Sequence, residues 1–71
     1  MNKIKVYREA AKLTQRELGR MIGSTQAAIG NYEKGIRAPD INVCKRIITA
    51  LRESDSEVTL DKVFHCEEEA V

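Results

Sequence analysis

The chain has 71 residues, 42 % of them apolar and 32 % charged: room for one small domain, too little apolar mass for a large α/β enzyme, and no apolar run near the roughly 20 residues of a membrane helix. The formal net charge of +1 averages two unlike halves, since residues 1–52 hold eleven Lys/Arg against four acids (+7) and residues 53–71 hold Lys62 against seven acids (−6). A basic body fits either a polyanion partner, through counterion release from phosphates, or an ordinary solvated surface, and charge alone excludes neither.

Asn2 is placed to cap a first helix running to about Ala11, with Ile4, Tyr7 and Ala11 on one stripe. Thr14-Gln15-Arg16-Glu17 has the form of a capping box and opens a second helix to Ile22, with Leu18, Met21 and Ile22 apolar. Gly23 stands where the chain must turn with positive φ. Ser24 or Thr25 then caps a third helix through Lys34, which Gly35 ends. Pro39-Asp40 starts a fourth helix, whose apolar positions Ile41, Cys44, Ile47, Ile48 and Leu51 recur three and four apart. Residues 53–57 read as a loop. Thr59 can cap a short fifth helix carrying Leu60, Val63 and Phe64, but Val58 and Leu60 alternate with polar neighbours, so a strand stays open there. The acidic tail 67–71 is expected to fray.

The remaining chemistry-bearing residues point away from catalysis. Cys44 falls on the apolar stripe of the fourth helix and reads as a small core hydrophobe. His65-Cys66 lies by the terminus and lacks the ligand number and spacing of a zinc site. One histidine makes no nucleophile–base set, so neither an enzyme, a metal nor a cofactor is expected. Met1-Asn2-Lys3-Ile4-Lys5 has no apolar h-region, and a reduced cytoplasmic setting follows as the expectation.

The segment 15–34 is two short helices joined by a turn centred on Gly23. That arrangement needs a small residue where the helices cross, met by Gly19, and apolar residues that hold the second helix, met by Leu18, Ile22, Ile29 and Tyr32. A glycine inside a helix costs about 1 kcal/mol relative to alanine, so Gly19 implies close helix packing. With Ile29 facing the core and 100° per residue, Tyr32 and Glu33 fall inward. Ala27, Gly30, Asn31 and Lys34 fall on the opposite face, and Gln26 projects from the first turn.

Arg8, Leu13-Thr14-Gln15-Arg16-Glu17-Leu18, Ile22-Gly23-Ser24-Thr25-Gln26, Ile29, Tyr32-Glu33-Lys34-Gly35 and Pro39 together resemble the repressor and Cro proteins of lambdoid phages and their bacterial relatives, the XRE-like regulators. The likeness extends through Leu51, and Leu60-Asp61-Lys62-Val63-Phe64 looks like the family's closing helix. Ser24 is polar where many members are apolar, and Ala27, Ala28 and Gly30 make the third helix unusually bare. The resemblance implies an all-α, five-helix domain over residues 1–66, with the helix-turn-helix at 15–34 and the recognition helix at 25–34. It also implies sequence-specific binding of double-stranded DNA through the major groove.

On that basis Gln26, Ala27, Ala28 and Asn31 are candidates for base contacts. Gln26 has the donor and acceptor that suit adenine, and the alanine methyls suit thymine. Gln15, Thr25, Lys34, Arg37 and Asn42 are candidates for phosphate contacts. Arg8 and Glu33 match an ion pair of the family, with a structural role. The expected regulator is a dimeric repressor, Cro-like or controller-type unless the chain is a fragment. It would join through the C-terminal third, including Leu51–Phe64, on a palindromic operator, without a small-molecule ligand. The alternative is an antitoxin-type module that binds a protein as well as DNA.

Overall fold

The structure, a computed structural model, describes residues 2–64; His65, Cys66 and the acidic segment 67–71 lie outside the described residues. Five helices follow in order: α1 (Ile4–Ala10), α2 (Gln15–Met21), α3 (Gln26–Lys34), α4 (Ile41–Arg52) and α5 (Leu60–Val63), with no strand among the described residues. The class is all-α. The one-turn helix α5 resolves the choice left open by the sequence. Thr59 Oγ1 accepts the Lys62 amide at 3.3 Å. Val58 and Val63 are buried while Leu60 is 39 % exposed, so the apparent alternation is a loop residue followed by a helical turn.

One core joins all five helices, centred on Ile4, Leu18, Ile29, Ile47, Leu51, Val58 and Val63, each essentially without solvent exposure. From α4 the inward stripe is Cys44, Ile47, Ile48 and Leu51. Ile41, assigned to that stripe, is 56 % exposed. It has the right helical angle but sits in the first turn, where no described element covers it. Asp40 caps that turn, its Oδ1 accepting the Val43 amide at 2.9 Å.

Three successive helices end in the same way, with a left-handed residue that lets two backbone amides return to the last turn. Lys12 (φ 61), Gly23 (φ 72) and Gly35 (φ 76) occupy the left-handed position. The following residues Leu13, Ser24 and Ile36 donate their amides to Arg8, Gly19 and Asn31 carbonyls at 3.1, 2.7 and 3.0 Å. Only the first of these positions lacks a glycine. At the other end of α1, Asn2 acts one residue earlier than a cap should. Lys3 is the N-cap and gives no side-chain bond, while Asn2 Oδ1 accepts the Ile4 amide at 3.0 Å and Asn2 Nδ2 donates to the Tyr32 carbonyl at 2.8 Å. Asn2 thus ties the start of the chain to α3, and Lys3 N donates to the Val63 carbonyl at 2.7 Å.

A β-carbon in the left-handed region is strained by about 1 kcal/mol. Lys12→Gly is therefore expected to stabilise the domain by about 1 kcal/mol, a rise in Tm of about 4–8 °C at this size. Thermal unfolding followed by circular dichroism checks it, and an unchanged or lower Tm contradicts it.

Candidate nucleic-acid interface

The interface is built on the junction of α2 and α3. The capping box that opens α2 is complete, with Thr14 Oγ1 accepting the Glu17 amide at 3.0 Å and Glu17 Oε1 accepting the Thr14 amide at 2.8 Å. Gly19 is where the two helices meet. A β-carbon there would stand 2.9 Å from the Thr25 carbonyl carbon and oxygen, closer than any side chain can sit without moving backbone. The middle of α2 therefore rests directly on the start of α3, and Gly23 makes the turn between them. Thr25, not Ser24, caps α3, its Oγ1 accepting the Ala28 amide at 3.1 Å.

With Ile29 and Tyr32 anchored in the core, α3 turns its opposite side outward. Gln15, Gln26, Ala27, Gly30, Asn31 and Lys34 line one shallow groove along that side, and no carboxylate is among them. Gly30 lies beneath the Gln15 side chain, whose amide would meet a β-carbon at that position at 3.6 Å, an ordinary contact distance. The outward face is as the helical angle predicts, with one correction. Ala28 is half-buried against the core and is not part of the groove. It stands 100° from Ile29 on the Tyr32 side of the helix, so its methyl packs inward instead of pointing toward a base. Lys34 and Arg37 are exposed at the end of α3 and in the connection to α4, and Asn42 is exposed in the first turn of α4.

Behind this face lies a charged network. Arg8 Nε donates to Glu33 Oε2 at 2.6 Å and Arg8 Nη2 to Glu33 Oε1 at 3.2 Å, a forked pair with side chains 9 % and 4 % exposed. Gln15 Nε2 donates to Glu33 Oε1 at 3.0 Å, and Arg8 Nη1 donates to the Leu13 carbonyl at 2.8 Å. Four anchor points, on α1, the α1–α2 turn, α2 and α3, thus converge on one pair. No buried side-chain nitrogen or oxygen among the described residues is left without a partner. Burial pushes the Glu33 carboxyl up, but the hydrogen bonds from Arg8 and Gln15, with the charges of Arg8 and Lys5, outweigh it, and its pKa is lowered.

The sequence pointed to the pair but not to its extension. The bond to Gln15 and the bond to the Leu13 carbonyl are set by the tertiary approach of α2 to α3, and nothing in local spacing signals them. Cys44 is removed from chemistry: burial, then the charge of Asp40, raises its thiol pKa, and its Sγ donates to the Pro39 carbonyl at 3.7 Å.

Removing one partner of a buried pair strands the other's charge, a loss of about 3–5 kcal/mol. Arg8→Ala is expected to cost that much at neutral pH in urea unfolding, and the cost should shrink in acid as the stranded Glu33 takes up a proton. In the parent the sign is opposite. A carboxyl with a lowered folded pKa contributes stability above the unfolded value of about 4.3, and that contribution fades as pH falls through the folded value. A Tm of Arg8→Ala equal to the parent's at pH 7 would show the pair to be energetically idle.

A family model described as helix-turn-helix matches residues 4–58, from the first residue of α1 to the buried Val58 ahead of α5. No curated protein matches the chain. With the matched stretch covering α1 to α4 and the whole α2–turn–α3 unit, the chain belongs to the helix-turn-helix family of Cro- and repressor-type, XRE-like DNA-binding transcription regulators.

Proposed function

We propose that this regulator is a homodimeric repressor that binds a palindromic operator in the cytoplasm, α3 entering the major groove. The observation that carries the reading is the exposed, carboxylate-free groove on which Gln15, Gln26, Ala27, Asn31 and Lys34 converge. In this reading Gln26 pairs with an adenine edge, Asn31 reaches a base edge deeper along the helix, and Ala27 lies against a thymine methyl. Ala28, turned to the core, takes no part.

Phosphate contacts fix the register. Gln15 spends one amide hydrogen on Glu33 and offers the second to a phosphate oxygen, while Thr25 keeps its hydroxyl hydrogen as a donor because its oxygen caps α3. Lys34, Arg37 and Asn42 continue the contact beyond the helix end.

One unit of this kind reads only a few base pairs, so a second half-site about one helical turn away supplies affinity. The dimer surface is narrower than the Leu51–Phe64 span suggested by sequence, because Leu51, Val58 and Val63 belong to the protein's own core. Leu60, 39 % exposed, and the half-buried Phe64 are the apolar side chains this region offers to a second copy. Repression follows from occupying DNA that polymerase needs.

Selection of bound sites from a random duplex pool at two salt concentrations tests the reading, and an inverted repeat is the expected product. A single unpaired half-site would overturn the dimer. Gln26→Ala should lose about 1–3 kcal/mol for each half-site of the selected operator and relax preference at one base pair in each; equal weakening on every operator variant would refute its base-reading role. Arg37→Ala should instead weaken all duplexes alike and lower the salt slope by about one unit for each copy bound, about two for the dimer, and a loss confined to one operator sequence would count against it.

A further inference from the structure

A second hollow adjoins the groove, lined by Arg16, Arg20, Ser24, Thr25 and Gln26. The two meet at Gln26, which borders both. Arg16 and Arg20 are exposed, lie four residues apart on α2 and so share a face, and neither is in an ion pair among the described residues. The hollow contains no carboxylate. The nearest acid in sequence, Glu17, has its Oε1 engaged by the Thr14 amide at the opposite end of its capping box. Two guanidiniums thus stand uncompensated beside the first turn of α3, without any role in holding the fold.

The dimensions of the duplex give them one. A helix with its side chains is about 10–12 Å across and the major groove is about 12 Å wide, so an inserted helix fills the groove and whatever flanks its first turn meets the groove walls. Those walls are sugar and phosphate. In helix-turn-helix docking the first helix of the pair crosses the backbone, and here that helix is α2. We propose that Arg16 and Arg20 form a second phosphate seat, separate from that of Gln15, Lys34 and Arg37, which grips the backbone beside the base read by Gln26. The inference rests on the insertion of α3 proposed above and adds residues from a different face of α2. An acidic protein surface is the rival occupant of the hollow.

The test uses the full chain and the duplex obtained by selection, with an unrelated duplex of equal length as control. Binding of the parent, of the double variant Arg16→Gln/Arg20→Gln and of Arg16→Lys/Arg20→Lys is measured across a series of salt concentrations. Each phosphate contact contributes about 0.9 to the slope of log K against log salt. With two copies on the operator the glutamine variant removes four guanidiniums and is expected to lose about 3.6 units of slope with its ranking of operator sequences intact, and the lysine variant to keep the parental slope. A loss of less than about two units, or a change of base preference in place of slope, overturns the phosphate seat. Thermal unfolding serves as the folding control, since both side chains are exposed. A parent that prefers no duplex sequence overturns the operator reading and this inference together, whereas a parent that selects a site but shares its slope with the glutamine variant overturns this inference alone.

Discussion

The structure depends on one buried ion pair. Arg8 and Glu33 are nearly excluded from water, and charges so placed are tolerable only when each remaining donor and acceptor is engaged. Those extra bonds define the geometry: Glu33 also takes Gln15 at the start of α2, and Arg8 also takes the Leu13 carbonyl in the turn before it. The pair therefore fixes the angle between α2 and α3 from behind, and Gln15 links it directly to the groove that Gln15 also lines. A hydrophobic pair of similar volume would fill the space equally well. It would not aim Gln15, because no apolar group distinguishes one end of an amide from the other.

From the front, the same angle is fixed by the absence of side chains. Gly19 allows the backbone of α2 to touch the start of α3, where a β-carbon would overlap the Thr25 carbonyl. Between α2 and α3 the turn at Gly23 uses a conformation that other residues adopt only under strain. The two helices are thus held by a hydrogen-bonded network on one side and by close backbone approach on the other, with Leu18, Ile22 and Ile29 between. A side chain mounted on α3 is therefore positioned by contacts on both sides of the unit.

What was legible in the sequence was what local chemistry dictates. The Thr14–Glu17 capping box, the glycines that end α2 and α3, the Asp40 cap and most of the α4 stripe all arise from contacts within a few residues. The Arg8–Glu33 pair spans a long stretch of chain and was reached through family resemblance plus the inward angle of Glu33. The misses share a cause. Ile41 has the helical phase of a core residue but not the neighbours, and Ala28 is small enough to pack at the edge of a core that its helical angle only grazes. Lys12 adopts a glycine's conformation without a glycine to announce it. Asn2 splits its amide between the start of α1 and the Tyr32 carbonyl, a long-range bond that no capping rule contains.

The bareness of α3 has a physical consequence for the proposed function. Along the groove only Gln15, Gln26, Asn31 and Lys34 project beyond the backbone, while Ala27 and Gly30 leave it open. A surface this low lets the helix approach base edges closely, so the few polar groups it carries act at short range and in fixed orientation. Few groups also mean little discrimination from each copy, since each good base contact is worth about 1–3 kcal/mol. Two copies on a repeated half-site double that discrimination without enlarging the helix. In the proposed complex, phosphate contacts from α2 and the α3–α4 connection supply the affinity that base reading lacks, while Glu53, Asp55, Glu57 and Asp61 lie exposed beyond α4.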